Sequence, residues 1–212
     1  IEAVLRTKGV AGFQLLNIQD FPGQGAALVG VVDAFWDAKS YVDESAFRQF
    51  CNVTVPLARM DKRVWKDSEQ FKAEIEIANF AQNPYSDRIV VCRIKADGKL
   101  KDETNLAQMD IPRGNGIKAG EYKVNLKDYP AGKYCLEVEL EGTGYVNTWD
   151  FWVYPEQLTM PDSNDIFITK EFDEKAIKRL EAGEKVLLLA QRDTIAGNMP
   201  QCFSSIYWNC PW

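Results

Sequence analysis

Hydrophobic and polar residues alternate along the middle of the chain. The segments that show this alternation most clearly are 71–78, 122–126, 134–141 and 149–153. A period of two is typical of strands with one face in a core and the other in water. Turn signals such as Asp97-Gly98 separate the segments. The pattern predicts an immunoglobulin-like antiparallel β-sandwich over residues 53–155.

The last part of the chain, residues 156–212, has a different pattern. Residues 165–169 are typical of a strand, and Asp173 is a candidate N-cap for a helix that ends near Gly183. The expected apolar face of that helix consists of Ala176, Ile177 and Leu180. The continuous apolar run 185–190 indicates a strand buried on both faces. Strand, helix and apolar strand together predict a partial α/β unit with parallel strands.

The first part, residues 1–52, opens with a short helical pattern. The apolar run 13–18, which follows Gly12, predicts a buried strand. Asp43 is a candidate N-cap for a second helix. Its apolar side would carry Ala46, Phe47, Phe50 and Cys51.

Composition excludes several kinds of chemistry. The 212 residues contain no histidine, and their net charge is −6. The lack of histidine excludes a Ser-His-Asp triad, an HExxH zinc site and any imidazole base. The negative charge argues against nucleic acid or an anionic membrane as a partner, and no apolar run approaches the ~18 residues of a membrane span. We expect no cofactor and no metal site.

The five cysteines are expected to be free thiols. They are Cys51, Cys92, Cys135, Cys202 and Cys210. Strand parity directs Cys92 into the core and Cys135 towards solvent, so this pair cannot form a disulfide. Glu74 and Glu76, like Glu137 and Glu139, alternate with core residues. They are therefore expected on the solvated face of a sheet rather than as a catalytic pair.

Three acidic residues of the first part are harder to assign to a solvated face. Asp20, Asp33 and Asp37 lie in a segment rich in glycine and aromatic residues, where an idle charge is unfavourable. The ends of the chain, Ile1 and the aromatic run 207–209, are unlike frayed natural termini. We expect the chain to be a piece of a longer protein.

Residues 12–25 (GFQLLNIQDFPGQG) followed by 27–37 (ALVGVVDAFWD) resemble a stretch of bacterial family-2, β-galactosidase-like glycoside hydrolases. In that family the stretch corresponds to the last strand of the catalytic (β/α)8 barrel and the loop that leaves it. Residues 55–59 are similar to the family's entry into an immunoglobulin-like domain. Residues 184–190 and 207–209 are similar to the start of a further α/β domain.

The resemblance implies that residues 1–52 are a barrel remnant whose two catalytic glutamates lie upstream. The chain alone would then have no catalytic residues and no activity. Ligands of such barrels bind at the C-terminal ends of the strands, which implies Gln19, Asp20 and Phe21 as sugar-binding residues. The family often has Trp where Phe21 stands, which leaves the sugar open. The resemblance also implies export to the periplasm or cell surface of a bacterium.

Three functions remain open. The first is a non-catalytic portion of a β-galactosidase-like hydrolase, with carbohydrate bound through the parent enzyme. The second is a carbohydrate-binding sandwich without hydrolase activity, which an outward-facing aromatic pair on one sheet would favour. The third is a self-contained hydrolase that uses Asp33 and Asp37. If residues 1–50 are a barrel remnant, their apolar side chains have lost the neighbours that would bury them and should pack onto the sandwich or mediate self-association.

Overall fold

The computed structural model describes residues 1–10, 12–21, 29–158, 165–191 and 195–197. The chain divides into two units, Ile1–Gln157 and Leu158–Trp212. The first two predicted segments therefore belong to one unit, and the barrel origin of residues 1–52 stays a prediction. The expectations for residues 207–209, Cys202 and Cys210 lie outside the described residues.

Within its described residues, the first unit contains two short helices and eight strands. They are α1 (Glu2–Leu5), α2 (Glu44–Phe50), β1 (Thr54–Arg59), β2 (Val64–Lys66), β3 (Gln70–Asn79), β4 (Tyr85–Ala96), β5 (Lys99–Ile111), β6 (Gly114–Asn125), β7 (Gly132–Leu140) and β8 (Tyr145–Tyr154). One sheet has the order β1-β3-β6 and the other β2-β8-β7-β4-β5. All pairs are antiparallel except β2 with β8. The predicted β-sandwich is confirmed.

The core lies between the two sheets, where the apolar members of the alternating segments meet. Phe71 on β3 packs against Phe151 on β8 with ring centroids 4.4 Å apart, and Tyr134 stacks on Phe151 at 5.6 Å. Trp149, like Tyr134 and Phe151, is buried and faces inward, as the alternation of segments 134–141 and 149–153 predicts. The hairpin between β4 and β5 turns at Asp97 and Gly98, both with positive φ, as a type I′ turn requires.

The N-terminal helix α1 covers the outer face of the small sheet. Val55 and Leu57 of β1 are fully buried there, and Leu5 packs against them. The Glu2 carboxylate accepts hydrogen bonds from Asn147 Nδ2 at 2.7 Å and from Trp149 Nε1 at 3.1 Å. Because both donors are on β8, α1 joins the two sheets at the seam between β1 and β8.

The second helix begins as the sequence predicts. The Asp43 side chain accepts a hydrogen bond from the Ala46 amide at 2.8 Å, which caps α2. Phe47 and Phe50 are half-buried and contact each other edge to face at 5.2 Å. Gln49 accepts a hydrogen bond from Thr148 at 2.8 Å, so α2 also rests on β8.

The strand expected over residues 13–18 is absent from the structure. These residues are irregular, and Phe13, Leu15, Leu16 and Ile18 are exposed, Leu16 by 87%. A strand needs hydrogen-bonding partners along its length. A bridge follows the segment, between Gln19 and Val32, but residues 13–18 themselves belong to no strand. The prediction was wrong because, among the described residues, only Ile18 at the end of this run has backbone partners, the amides of Val31 and Val32.

The second unit contains a short parallel βαβ motif. It consists of β9 (Ile166–Thr169), α3 (Glu174–Glu181) and β10 (Lys185–Leu188). Asp173 caps α3 through the Ala176 amide at 2.9 Å, and Gly183 follows the helix with φ of +79°. The predicted order and parallel pairing are confirmed.

The burial expected for the second unit is not observed. Of the helix's apolar face only Ala176 is buried, while Ile177 and Leu180 are exposed. The run 185–190 is not buried on both faces, because Leu187 and Leu189 are exposed. Parallel strands are usually covered on both faces by helices, and the described part of this unit has one helix for its two strands.

Removal of the Glu2 carboxylate should destabilise the sandwich. Glu2→Ala leaves the Trp149 indole and one Asn147 hydrogen bond without an acceptor, so the free energy of unfolding should fall by about 1–3 kcal/mol. Urea denaturation measures the change. Glu44→Ala is the matched control, because Glu44 also lies in the first turn of a helix but is 86% exposed. A similar loss in both variants would contradict the assigned role of Glu2.

Candidate functional site

The sequence-predicted site residues lie in a segment that folds back on itself. The amides of Val31 and Val32 donate to the Ile18 carbonyl at 2.7 and 3.0 Å, and the Asp20 amide donates to the Val32 carbonyl at 3.1 Å. Val32 also bridges Ala38 in the antiparallel sense. The backbone around Gln19 is therefore fixed by residues that follow it in the chain.

Asp20 holds this segment together. Its Oδ1 accepts hydrogen bonds from the Gly30 amide at 2.8 Å and from Lys39 Nζ at 2.6 Å, and the residue is only 5% exposed. The hydrogen bond from Lys39 lowers the pKa of the Asp20 carboxyl, with a further contribution from Gly30. Tyr41 donates to the Gly30 carbonyl at 2.9 Å. We call these residues, Asp20, Gly30, Lys39 and Tyr41, the Asp20 cluster.

Only glycine fits at position 30. A Cβ there would lie 2.3 Å from the Asp20 amide nitrogen and 2.7 Å from the Val32 carbonyl oxygen. Both neighbours are backbone atoms, which cannot move aside as a side chain can. This close approach allows the Gly30 amide to reach the Asp20 carboxylate.

The three predicted sugar-binding residues differ in how far their side chains are exposed. Asp20 is committed to the cluster, Gln19 is half-buried, and the Phe21 ring is 48% exposed. Asp20 thus fixes the backbone between the half-buried amide of Gln19 and the exposed ring of Phe21. Their contact with a sugar stays a prediction.

Asp33 and Asp37 belong to a tight turn. Asp33 Oδ1 accepts hydrogen bonds from the amides of Phe35 and Asp37 at 2.8 and 2.9 Å. The turn presents Phe35 and Trp36 to solvent, 84% and 64% exposed, and Trp36 has φ of +72°. Asp33 therefore shapes an aromatic turn, and Asp37 is exposed at its end.

Sequence reasoning missed the partners of Asp20. A carboxylate in an apolar segment needs a cation or several N–H donors, and Lys39 is the nearest basic residue after it in the sequence. A search for the nearest basic residue could therefore have identified Lys39 as the partner of Asp20. The sequence gives no comparable signal for the Gly30 contact, which depends on how the backbone folds back.

The carboxylates of the sheets form ion pairs. Glu137 and Glu139 lie on the outer face, as predicted, and both accept from Arg93, at 3.1 and 2.5 Å. The pKa of the Arg93 guanidinium is raised, first by its hydrogen bond to Glu139. These contacts make the carboxylates part of a charged network on the sheet.

Glu76 is not on a solvated face, in contrast to the prediction. It is buried and accepts hydrogen bonds from Arg59 Nε at 3.0 Å and Nη2 at 3.3 Å. Arg59 Nη2 also donates to the Arg6 carbonyl at 2.6 Å. A register shift between Ile75 and Glu76 breaks the alternation of β3. The pattern could not show that the N-terminal segment covers this face.

The described cysteines, Cys51, Cys92 and Cys135, are free. Cys92 is buried as predicted, and burial raises the pKa of its thiol to about 12. Across the described ranges no group of three or more Cys, Asp or Glu side chains is arranged to hold a metal ion. In the same ranges no helix is long and apolar enough to cross a membrane.

Two families of unknown function match parts of the chain. The family described as domain of unknown function DUF8488 matches residues 69–155, and DUF8487 matches residues 167–212. The first match lies within the sandwich. No curated protein matches the sequence.

Solved structures that resemble the chain do so only weakly. A CARDB domain from Pyrococcus furiosus is 13% identical over 48% of this chain and 94% of its own, with a TM-score of 0.35. A β-glucosidase from Listeria innocua in complex with glucose is 9% identical over 47% of this chain, with a TM-score of 0.35. A β-glucosidase involved in saponin metabolism from intestinal bacteria is 12% identical over 48%, also at 0.35. The match spans only 16% of each β-glucosidase, and likenesses this weak say nothing about activity.

Acid should open the Asp20 cluster. Because the folded pKa of Asp20 is lowered from 3.8, its carboxylate stabilises the segment at neutral pH. That contribution is lost as the pH falls through the lowered value. The protection of the Gly30 amide in hydrogen exchange should therefore hold down to about pH 4 and fall below it.

Asp20→Asn provides the control for this acid effect. The variant has no carboxylate to titrate, and its Asn Oδ1 can still accept from the Gly30 amide, so the protection of that amide should not change with pH in the acid range. An equally steep acid loss of protection in Asp20→Asn would show that another group causes it.

Proposed function

We propose that the chain is a non-catalytic portion of an exported, multidomain, β-galactosidase-like glycoside hydrolase, in which it braces the catalytic domain and completes one wall of its sugar pocket. The sequence resemblance in residues 12–37 supports this assignment. The structure contributes one observation, the exposed apolar strip formed by Phe13, Leu15, Leu16 and Ile18.

The strip is unusual because the sandwich beside it already has a complete core. Contiguous exposed apolar side chains mark interaction surfaces in folded proteins. Burial of such side chains contributes about 1.5–3 kcal/mol each relative to exposure. A catalytic domain that covers the strip would gain this stabilisation.

The strip leads directly into the predicted site. Gln19 and Phe21 follow it, and the Asp20 cluster fixes the backbone between them. A domain docked on the strip would therefore meet a half-buried amide and an exposed aromatic ring held in fixed positions. Hydroxyl groups of a sugar hydrogen-bond to amides, and aromatic faces pack on its apolar C–H surface.

A panel of nitrophenyl glycosides, run on this chain and on the full-length gene product, tests the proposal. We expect turnover by the full-length protein and none by the chain. In the full-length protein, Phe21→Ala should raise KM for the hydrolysed glycoside about tenfold, since it removes an aromatic contact to the sugar. Turnover by the chain alone, or an inert full-length protein, would refute the proposal.

The docking role has its own test. Leu16→Glu places a charge on the strip and should lower the temperature at which the catalytic domain unfolds in the full-length protein. Leu100→Glu is the control, because Leu100 is also exposed but lies on β5. Concentration-dependent dimerisation of the isolated chain that Leu16→Glu abolishes, without an effect in the full-length protein, would assign the strip to self-association instead.

A further inference from the structure

We propose that the outer face of the five-stranded sheet carries a glycan-binding surface centred on Trp152 and Tyr154. This inference goes beyond the proposed function, because it gives the sandwich a ligand of its own. It depends on side chains of β2, β7 and β8 and on Glu156, which follows β8, but on no residue of the first 52.

The two rings lie on the same face because of strand parity. Asn147, Trp149, Phe151 and Val153 of β8 are buried in the sandwich, so Trp152 and Tyr154 face outward. Two residues along a strand correspond to about 7 Å. Tyr154 is 50% exposed and Trp152 is half-buried. The two aromatic residues are thus neighbours on one face of the sheet, with backbone positions about 7 Å apart.

Neighbouring strands extend the surface on both sides. The parallel pairing with β2 places Val64 beside Trp152 and Lys66 beside Tyr154. Pairing with β7 places Lys133 on the other side of Trp152. Val64 is 54% exposed, so it adds apolar area next to the indole. The result is a shallow apolar centre with lysines at two of its edges.

The charges at the edge are compensated. Lys66 Nζ lies 2.8 Å from Glu156 Oε1, and Lys133 Nζ lies 2.8 Å from Asp150 Oδ2. Both lysines are therefore paired with a carboxylate, and the surface offers hydrogen-bond donors as well as acceptors. Within the described chain, Trp152 Nε1 and the Tyr154 hydroxyl make no hydrogen bond of their own, and both remain available to a ligand.

This combination fits a neutral glycan best. The apolar C–H face of a pyranose packs on an aromatic ring, and its hydroxyls bond to the polar tips of Trp and Tyr and to the surrounding ion pairs. A nucleic acid would require an excess of positive charge. A membrane surface would favour a larger apolar face bordered by unpaired basic residues.

Affinity gel electrophoresis tests the inference with the chain as it stands. Gels containing galactan, xylan or mixed-linkage β-glucan should retard the wild-type chain in at least one case. Tyr154→Ala should weaken the retardation about tenfold, and Trp152→Ala should do so as well. Tyr154→Phe, which keeps the ring, should retain most of the binding.

Two controls show whether the retardation arises at this surface. Trp36→Ala removes a more exposed aromatic of the N-terminal segment and should leave the retardation unchanged. Thermal unfolding should show that Tyr154→Ala is folded. The inference is overturned if no polysaccharide retards the chain, or if Tyr154→Ala is retarded as strongly as wild type. The gel measures binding and not hydrolysis, so its result does not decide whether the proposed function is correct.

Discussion

The fold depends on the cover that α1 provides for the outer face of the small sheet. Strand β1 is buried on both of its faces, which an edge strand of a sandwich achieves only if another element packs over it. Leu5 supplies the apolar part of that cover. Glu2 supplies the polar part, since it satisfies the indole of Trp149 at the seam between the sheets. Burial of such a donor without an acceptor is unfavourable. The helix α1 therefore contributes an apolar contact and also the acceptor that the buried indole needs.

The two surfaces to which we assign functions differ in the regularity of their backbone. The apolar strip and the Asp20 cluster belong to a segment with little regular structure, whose order depends on one carboxylate and a close backbone contact. The Trp152 and Tyr154 surface belongs to paired strands, where hydrogen-bonded neighbours fix every position. A surface of the first kind adapts to a partner, whereas one of the second kind presents a fixed shape to its ligand.

How much of this could be predicted from the sequence varies with the kind of interaction. The sandwich strands could be predicted because alternation, the Asp97-Gly98 turn and the inward parity of Cys92 are local properties. The helix caps at Asp43 and Asp173 were equally local. The burial of Glu76 and the lack of a strand at residues 13–18 could not be predicted, since each depends on what packs against the segment. The Asp20 site could be predicted only in part. Its carboxylate indicated that a partner lies nearby, but no sequence pattern indicates the chain reversal that brings Gly30 to it.

The long hairpin of β4 and β5 bears on the order in which the chain folds. Its strands are joined by a two-residue turn and pair over most of their length, so they meet after only a short loop closure. Glu2 and Trp149, in contrast, are 147 positions apart, and their contact closes almost the whole first unit. Contacts with small sequence separation generally form first. The α1 contact would then be made after the rate-limiting step, so that it slows the loss of the native state far more than it speeds its formation.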